Sequence, residues 1–267
     1  MWRSFQTVAL QNERGVALLE SQLYFEALTE FVEAYTNASC LRQQALSEAA
    51  NPFDLLGSND GDRPQRLFSL ASQDMEEDEE VQTGSSATQS VDQHYIYPSG
   101  VTFWVDHDVQ DASQSPICGY GFLNNITLLM ATCLYNMSLC FHLRSRFVLG
   151  TVRQTCQRFA VDLYDRAIET VGDPLYAFET IAKGDANCLL VILLNNKAVI
   201  CFELEDYTNC QIVRSLLVLC LNKLGCGDGG IISADKLPHQ AFLETDDLTN
   251  MYRIAFLLEP PLIAGAA

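Results

Sequence analysis

The residues of this chain that could do chemistry are four histidines, ten cysteines and two short loops rich in acids or glycine. Nucleophilic catalysis needs a Cys or Ser within reach of a histidine, with an acid to orient the ring. Cys140 and His142 stand closest in sequence, but residues two apart on a helix face different ways. Asp106-His107-Asp108 carries metal-ligand types in a polar loop with no second cluster to complete a site, so it reads as solvated. No CxxC pair, GxSxG, HExxH or P-loop sequence occurs. Gly225-Cys226-Gly227-Asp228-Gly229-Gly230 follows a helical pattern, with no strand before it and no helix start after it. It reads as a helix stop and turn. The sequence thus announces no catalytic group, metal or cofactor.

Six of the cysteines, Cys133 and Cys140 among them, lie in apolar stretches at helical spacing. A cysteine so placed behaves as a small buried hydrophobe, and reduced core thiols are expected. The formal net charge is −18, from 34 acids and 16 bases. Such a surface field opposes nucleic acid and anionic membranes and favours basic partners. The start of the chain lacks the apolar run of a signal peptide, and the most apolar internal run, 188–194, is short against the ~20 residues of a membrane span. An intracellular, cytoplasmic or nuclear location is the expectation. The three Asn-x-Ser/Thr sites at Asn37, Asn125 and Asn136 then read as chance.

Apolar residues make up 48% and prolines number only 8, which leaves room for long helices and a sizeable core. The spacing predicts two helices within 1–48, with Tyr24, Ala27, Leu28, Phe31 and Ala34 at three- and four-residue steps. Residues 49–93 turn polar. They contain Asp74-Met75-Glu76-Glu77-Asp78-Glu79-Glu80, six acids in seven positions, and are expected to form a disordered acidic insertion. Two readings of the run stay open: a solvated linker, or a lure or strap for a basic site. Within 94–121, His94-Tyr95-Ile96-Tyr97 and Val101-Thr102-Phe103-Trp104-Val105 flank Pro98-Ser99-Gly100 and predict a small β-hairpin followed by a loop. Residues 122–236 return to helix in two pairs, and Gly172-Asp173-Pro174 stops one of them. A last helix over 247–258 makes 237–267 a capping segment. The whole is expected to form one folded domain.

A repeated register underlies the helical pairs. Gly15 stands nine residues before Tyr24, and Ala27, Phe31 and Ala34 follow as small, large and small. Ala198 stands nine before Tyr207, with Cys210, Arg214 and Leu217 in the later places. A middle copy is split: Ser138 is its small residue, and Ala160, Tyr164 and Ala167 repeat the steps after about ten extra residues. Two antiparallel helices approach closely only where small residues meet and a large side chain fills the gap beside them. This pattern resembles the tetratricopeptide repeat (TPR), over 8–36, 127–170 and 189–224. A generic helical bundle is the alternative.

The resemblance implies a mainly α fold, a short solenoid of antiparallel helical hairpins with a concave face. It implies a non-catalytic scaffold that binds a protein or peptide there. The first helices of each pair would line the groove with Asn12, Val16 and Leu19, then Tyr135, Leu139 and His142, then Asn195, Val199 and Phe202. The basic clamp by which some tetratricopeptide proteins hold acidic tails is missing, since only Asn12 and Asn195 fit it. An apolar groove bordered by Glu20 and Glu203 suits a basic or amphipathic partner. Two alternatives remain. The groove is filled by the chain's own tail or hairpin, or the protein is an enzyme or ligand-binding bundle without a recognisable motif.

Overall fold

A computed structural model describes residues 2–49, 96–102, 120–172, 184–223 and 245–257. The described residues contain seven helices and no strand. The helices are α1 (Trp2–Glu20), α2 (Tyr24–Ala49), α3 (Tyr120–Arg144), α4 (Gly150–Val171), α5 (Gly184–Glu203), α6 (Tyr207–Lys223) and α7 (Thr245–Leu257). The chain is mainly α. The acidic run 74–80, Asp106-His107-Asp108 and the glycine run 225–230 lie outside the described residues. The described parts fall into two compact units: 2–49, 99–102 and 120–170 in one, 96–98, 171–172, 184–223 and 245–257 in the other.

In the first unit, α1 buries Phe5, Val8, Asn12, Gly15, Val16 and Leu19, the stripe that three- and four-residue steps lay along one face. The facing stripe of α2 is Ala27, Leu28, Phe31, Ala34, Ala38, Leu41 and Ala45. The Phe31 ring packs against Gly15. A methyl group in place of the Gly15 hydrogen would sit 2.5 Å from Phe31 Cε1, so only glycine fits there. Phe5, Val8, Ala34, Ala38 and Leu41 continue into a cluster with Ile126, Leu129, Met130 and Cys133 of α3. Burying each of the larger side chains contributes roughly 1.5–3 kcal/mol. Helix α4 meets α3 through Phe141 on Phe159, with ring centroids 5.4 Å apart, and Tyr135 on Tyr164 at 6.3 Å. Ser138, Ala160, Tyr164 and Ala167 are all fully buried. The Ser138 hydroxyl is satisfied at 2.8 Å by the Leu134 carbonyl of its own helix.

In the second unit, α5 packs on α6 and α6 on α7. Ala198, Cys210 and Leu217 are buried, and the Cys210 thiol reaches the Ala198 carbonyl at 3.4 Å. Helix α7 seats Leu248, Met251 and Ala255 in the core. The Arg214 Nε–H donates to the Ala255 carbonyl, which ties α7 to α6.

The turns that end α1 and α5 have the same construction. Leu23 N–H bonds the Leu18 carbonyl and Gln22 N–H the Leu19 carbonyl, both at 2.9 Å, with Gln22 at φ 62°. Asp206 N–H bonds the Cys201 carbonyl at 2.9 Å and Glu205 N–H the Phe202 carbonyl at 3.0 Å, with Glu205 at φ 60°. This is the left-handed cap that closes a helix by a six-to-one and a five-to-two bond. The α3–α4 turn differs. Ser145 closes on Phe141, then Arg146 on Leu143 and Phe147 on Arg144, and Gly150 opens α4 at φ 63°.

Two segments, Leu123–Arg144 and Ala186–Glu203, are long and apolar enough to cross a membrane. The run 188–194 understates both, because lone polar residues such as Asn136 and Asn195 interrupt a run without making the helix hydrophilic. Within the protein, 83% and 78% of these windows are buried, as in core helices.

Candidate functional site

Residues 96–102 form the feature of most functional interest. A β-hairpin was expected here, and the described part of it is not one. His94, Tyr95 and 103–121 apart from Tyr120 and Gly121 lie outside the described residues, while 96–102 contain no strand. The reason is chemical. In an extended backbone the N–H and C=O of one residue point to the same side. A hairpin would pair them with another strand, whereas here they pair with asparagine side chains.

In the first unit the clamped residue is Val101. Its N–H donates to Asn136 Oδ1 at 2.8 Å, and Asn136 Nδ2 donates back to its carbonyl at 2.9 Å. Asn12 Nδ2 donates to the same carbonyl at 2.8 Å, and Asn136 Nδ2 also donates to Asn12 Oδ1 at 2.8 Å. The Cys133 thiol adds a weak contact to Asn12 Oδ1 at 3.7 Å. One carboxamide thus acts as a neighbouring strand's peptide group would, and a second braces it. Two residues earlier, the Tyr135 hydroxyl donates to the Ser99 carbonyl at 3.1 Å. Between them Gly100 rests on Val16, and an added Cβ would stand 2.9 Å from a Val16 methyl.

In the second unit the clamped residue is Tyr97. Its N–H donates to Asn196 Oδ1 at 2.9 Å, and Asn196 Nδ2 donates to its carbonyl at 3.1 Å. Asn195 Nδ2 braces Asn196 Oδ1 at 3.0 Å. Asn12, Asn136, Asn195 and Asn196 are all fully buried. A buried amide is stable only when bonded, so these side chains and the segment depend on each other.

Of the nine groove candidates, eight are buried in the folded chain: Asn12, Val16, Leu19, Tyr135, Leu139, His142, Asn195 and Val199. Phe202 is half-buried and stacks edge-on against Tyr207 at 5.8 Å. Asn12, Val16 and Tyr135 meet residues 99–101, and Asn195 braces the clamp on Tyr97. His142 is turned to Tyr164, its Nδ1 3.3 Å from the phenol oxygen. Sequence reasoning missed the two primary clamps, Asn136 and Asn196. A signal existed: each is an amide embedded in an apolar helix, where it must find a polar partner or cost stability.

The described thiols are mostly buried: of the eight, only Cys40 is exposed. Burial pushes Cys133 and Cys140 far above the ordinary thiol range. It raises Cys220 to about 12 despite the opposing charge of Lys223. Such thiols are poor nucleophiles near neutrality. Cys140 lies near Tyr24, whose phenol is raised by burial first and by that thiol second, while His142 lies against Tyr164. Asp162 is raised by partial burial and then by Asp165. Among the described residues no group of three His, Cys, Asp or Glu could hold a metal ion.

No family model matches this sequence, and neither a curated protein nor a solved structure is similar to it.

Proposed function

We propose that this protein is a non-catalytic interaction scaffold of tetratricopeptide type, which grips a segment of a protein partner by its backbone. The observation that carries the reading is the pair of asparagine clamps. Each uses a side-chain amide to satisfy both backbone groups of one residue. That is recognition of peptide as such, with specificity left to the pockets beside the backbone. The repeated register adds support: Gly15 and Ala198 occupy the same place relative to two turns of one construction.

In this reading the seat in each unit carries a piece of the chain itself, 99–102 in the first and 96–98 in the second, and a partner gains access by taking its place. Its body lies on apolar walls, and the net charge of −18 favours basic flanks. The test is selection of displayed random peptides on the full chain, then titration calorimetry of the recovered peptides against wild type and Asn136→Leu. The reading expects affinities to fall by about tenfold or more in the variant, as loss of buried hydrogen bonds implies. Peptides that bind both proteins equally would place the binding surface elsewhere and defeat it.

A further inference from the structure

Resting on that reading of the face as a peptide seat, we infer that the seat in the first unit selects a peptide, bent at the residue before the glycine, with glycine directly before an aliphatic residue. Residues 99–102 are its in-chain occupant. Three contacts define the selection. The Tyr135 hydroxyl holds the carbonyl of Ser99. Asn136 and Asn12 fix the N–H and carbonyl of Val101, whose side chain is buried. These bonds hold the backbone at both ends of Gly100, so the intervening residue cannot rise away from the helix below it. That residue lies on Val16, where a Cβ would approach the two methyls to 2.9 and 3.0 Å and the Val16 Cβ to 3.3 Å.

Val16 is β-branched and sits in a helix, where its χ1 is nearly fixed. The obstructing atoms are therefore not the free end of a flexible side chain. Val16 is also buried at 5% exposure, which leaves it little room to turn. The seat reads glycine by steric exclusion and the next residue by burial. Ser99 is exposed, so the position before glycine is unrestricted. The partner class is an x-Gly-aliphatic segment. The clamp is already bonded to Val101, so such a segment competes with the chain's own.

The experiment uses the full chain carrying Gly100→Val, which unseats the resident segment and leaves Asn12, Val16, Tyr135 and Asn136 intact. Circular dichroism first establishes that the helices remain. A labelled peptide copying residues 99–102, capped at both ends, is then titrated by fluorescence anisotropy, beside copies with Ala or Val in place of glycine. The glycine peptide is expected to bind, the alanine peptide roughly tenfold more weakly, and the valine peptide not measurably. Wild-type chain is expected to bind the glycine peptide about tenfold or more weakly than the variant, because its own segment competes.

Equal binding of glycine and alanine peptides would overturn the glycine selection while leaving the peptide seat standing. Equal binding by wild type and variant would overturn the resident-occupant claim. No peptide binding to a folded variant would overturn the seat itself. Should Gly100→Val fail to fold, thermal melts of the intact chain decide the glycine contact. Gly100→Ala lowers the melting temperature, and Val16→Ala combined with it restores part of the loss. Strictly additive effects would overturn the selection.

Discussion

The first and last helix pairs, α1–α2 and α5–α6, are two answers to one packing problem. Both turn through a left-handed cap seven residues after a small residue, at Gln22 and Glu205. Both bury the small residue and the first position facing it, Ala27 or Cys210. They part at the large position. Phe31 fills the space over Gly15, while its counterpart Arg214 is half-buried and reaches the Ala255 carbonyl of α7. The clamps part as well. Asn12 bonds the held backbone directly, while Asn195, at the matching place, bonds it through Asn196. The turn and the small residue therefore keep the register, and the large position is free to serve a neighbour. In α6 that neighbour is the helix that covers the end of the pair.

The clamps give the largest expected effects. Asn136→Leu and Asn196→Leu each leave buried polar groups without a bond, at about 1–3 kcal/mol per group. Losses of roughly 2–5 kcal/mol in urea denaturation are expected, with amide exchange at Val101 or Tyr97 rising in the matching variant. A neutral result at either would break the equivalence of the two clamps. Next comes Gly15→Ala, which drives a methyl into the Phe31 ring and should cost about 1–3 kcal/mol, recovered in part by Phe31→Leu. Ala198→Gly has no such clash to relieve. It should cost about 1–2 kcal/mol, from helix propensity and the loss of a buried methyl.

Smaller effects sharpen the contrast between the turns. Asp206 caps α6 by accepting from Asn209 N–H at 3.2 Å, and its counterpart Leu23 has no side-chain acceptor. Asp206→Ala should lose, and Leu23→Asp should gain, about 0.5–1 kcal/mol each by thermal denaturation. Alkaline pH tests the buried thiols. Cys220 ionises near 9 when unfolded and only at about 12 when folded. Its contribution is therefore whole below pH 9 and fades as pH rises toward 12. The melting temperature of wild type should fall over that window more steeply than that of Cys220→Ala.

Much of the fold was legible because helices advertise themselves locally. The stripe in α1, the steps in α2 and the stop at Gly172 with φ 108° all follow from neighbours three or four residues apart. The nine-residue step from small residue to tyrosine located two turns whose bonding proves to be the same. Asn12, Val16, Tyr135 and Asn195 were legible as groove-lining positions of the first helices, but not as contacts of the chain's own segment. Asn136 and Asn196 were not, because an amide in an apolar run says that a partner must exist and not where it lies.

What the sequence determined by itself was the set of helices, the register within each pair and the inertness of the core thiols. All three depend on side chains a turn or two apart and on burial of apolar surface. Tertiary structure alone decided the fate of residues 96–102. Their aromatic and β-branched residues suit a strand, yet the partners that satisfy their backbone lie 89 residues away at Asn12, 35 at Asn136 and 99 at Asn196. A backbone group takes whichever donor or acceptor the fold brings to it, and no local periodicity encodes that choice.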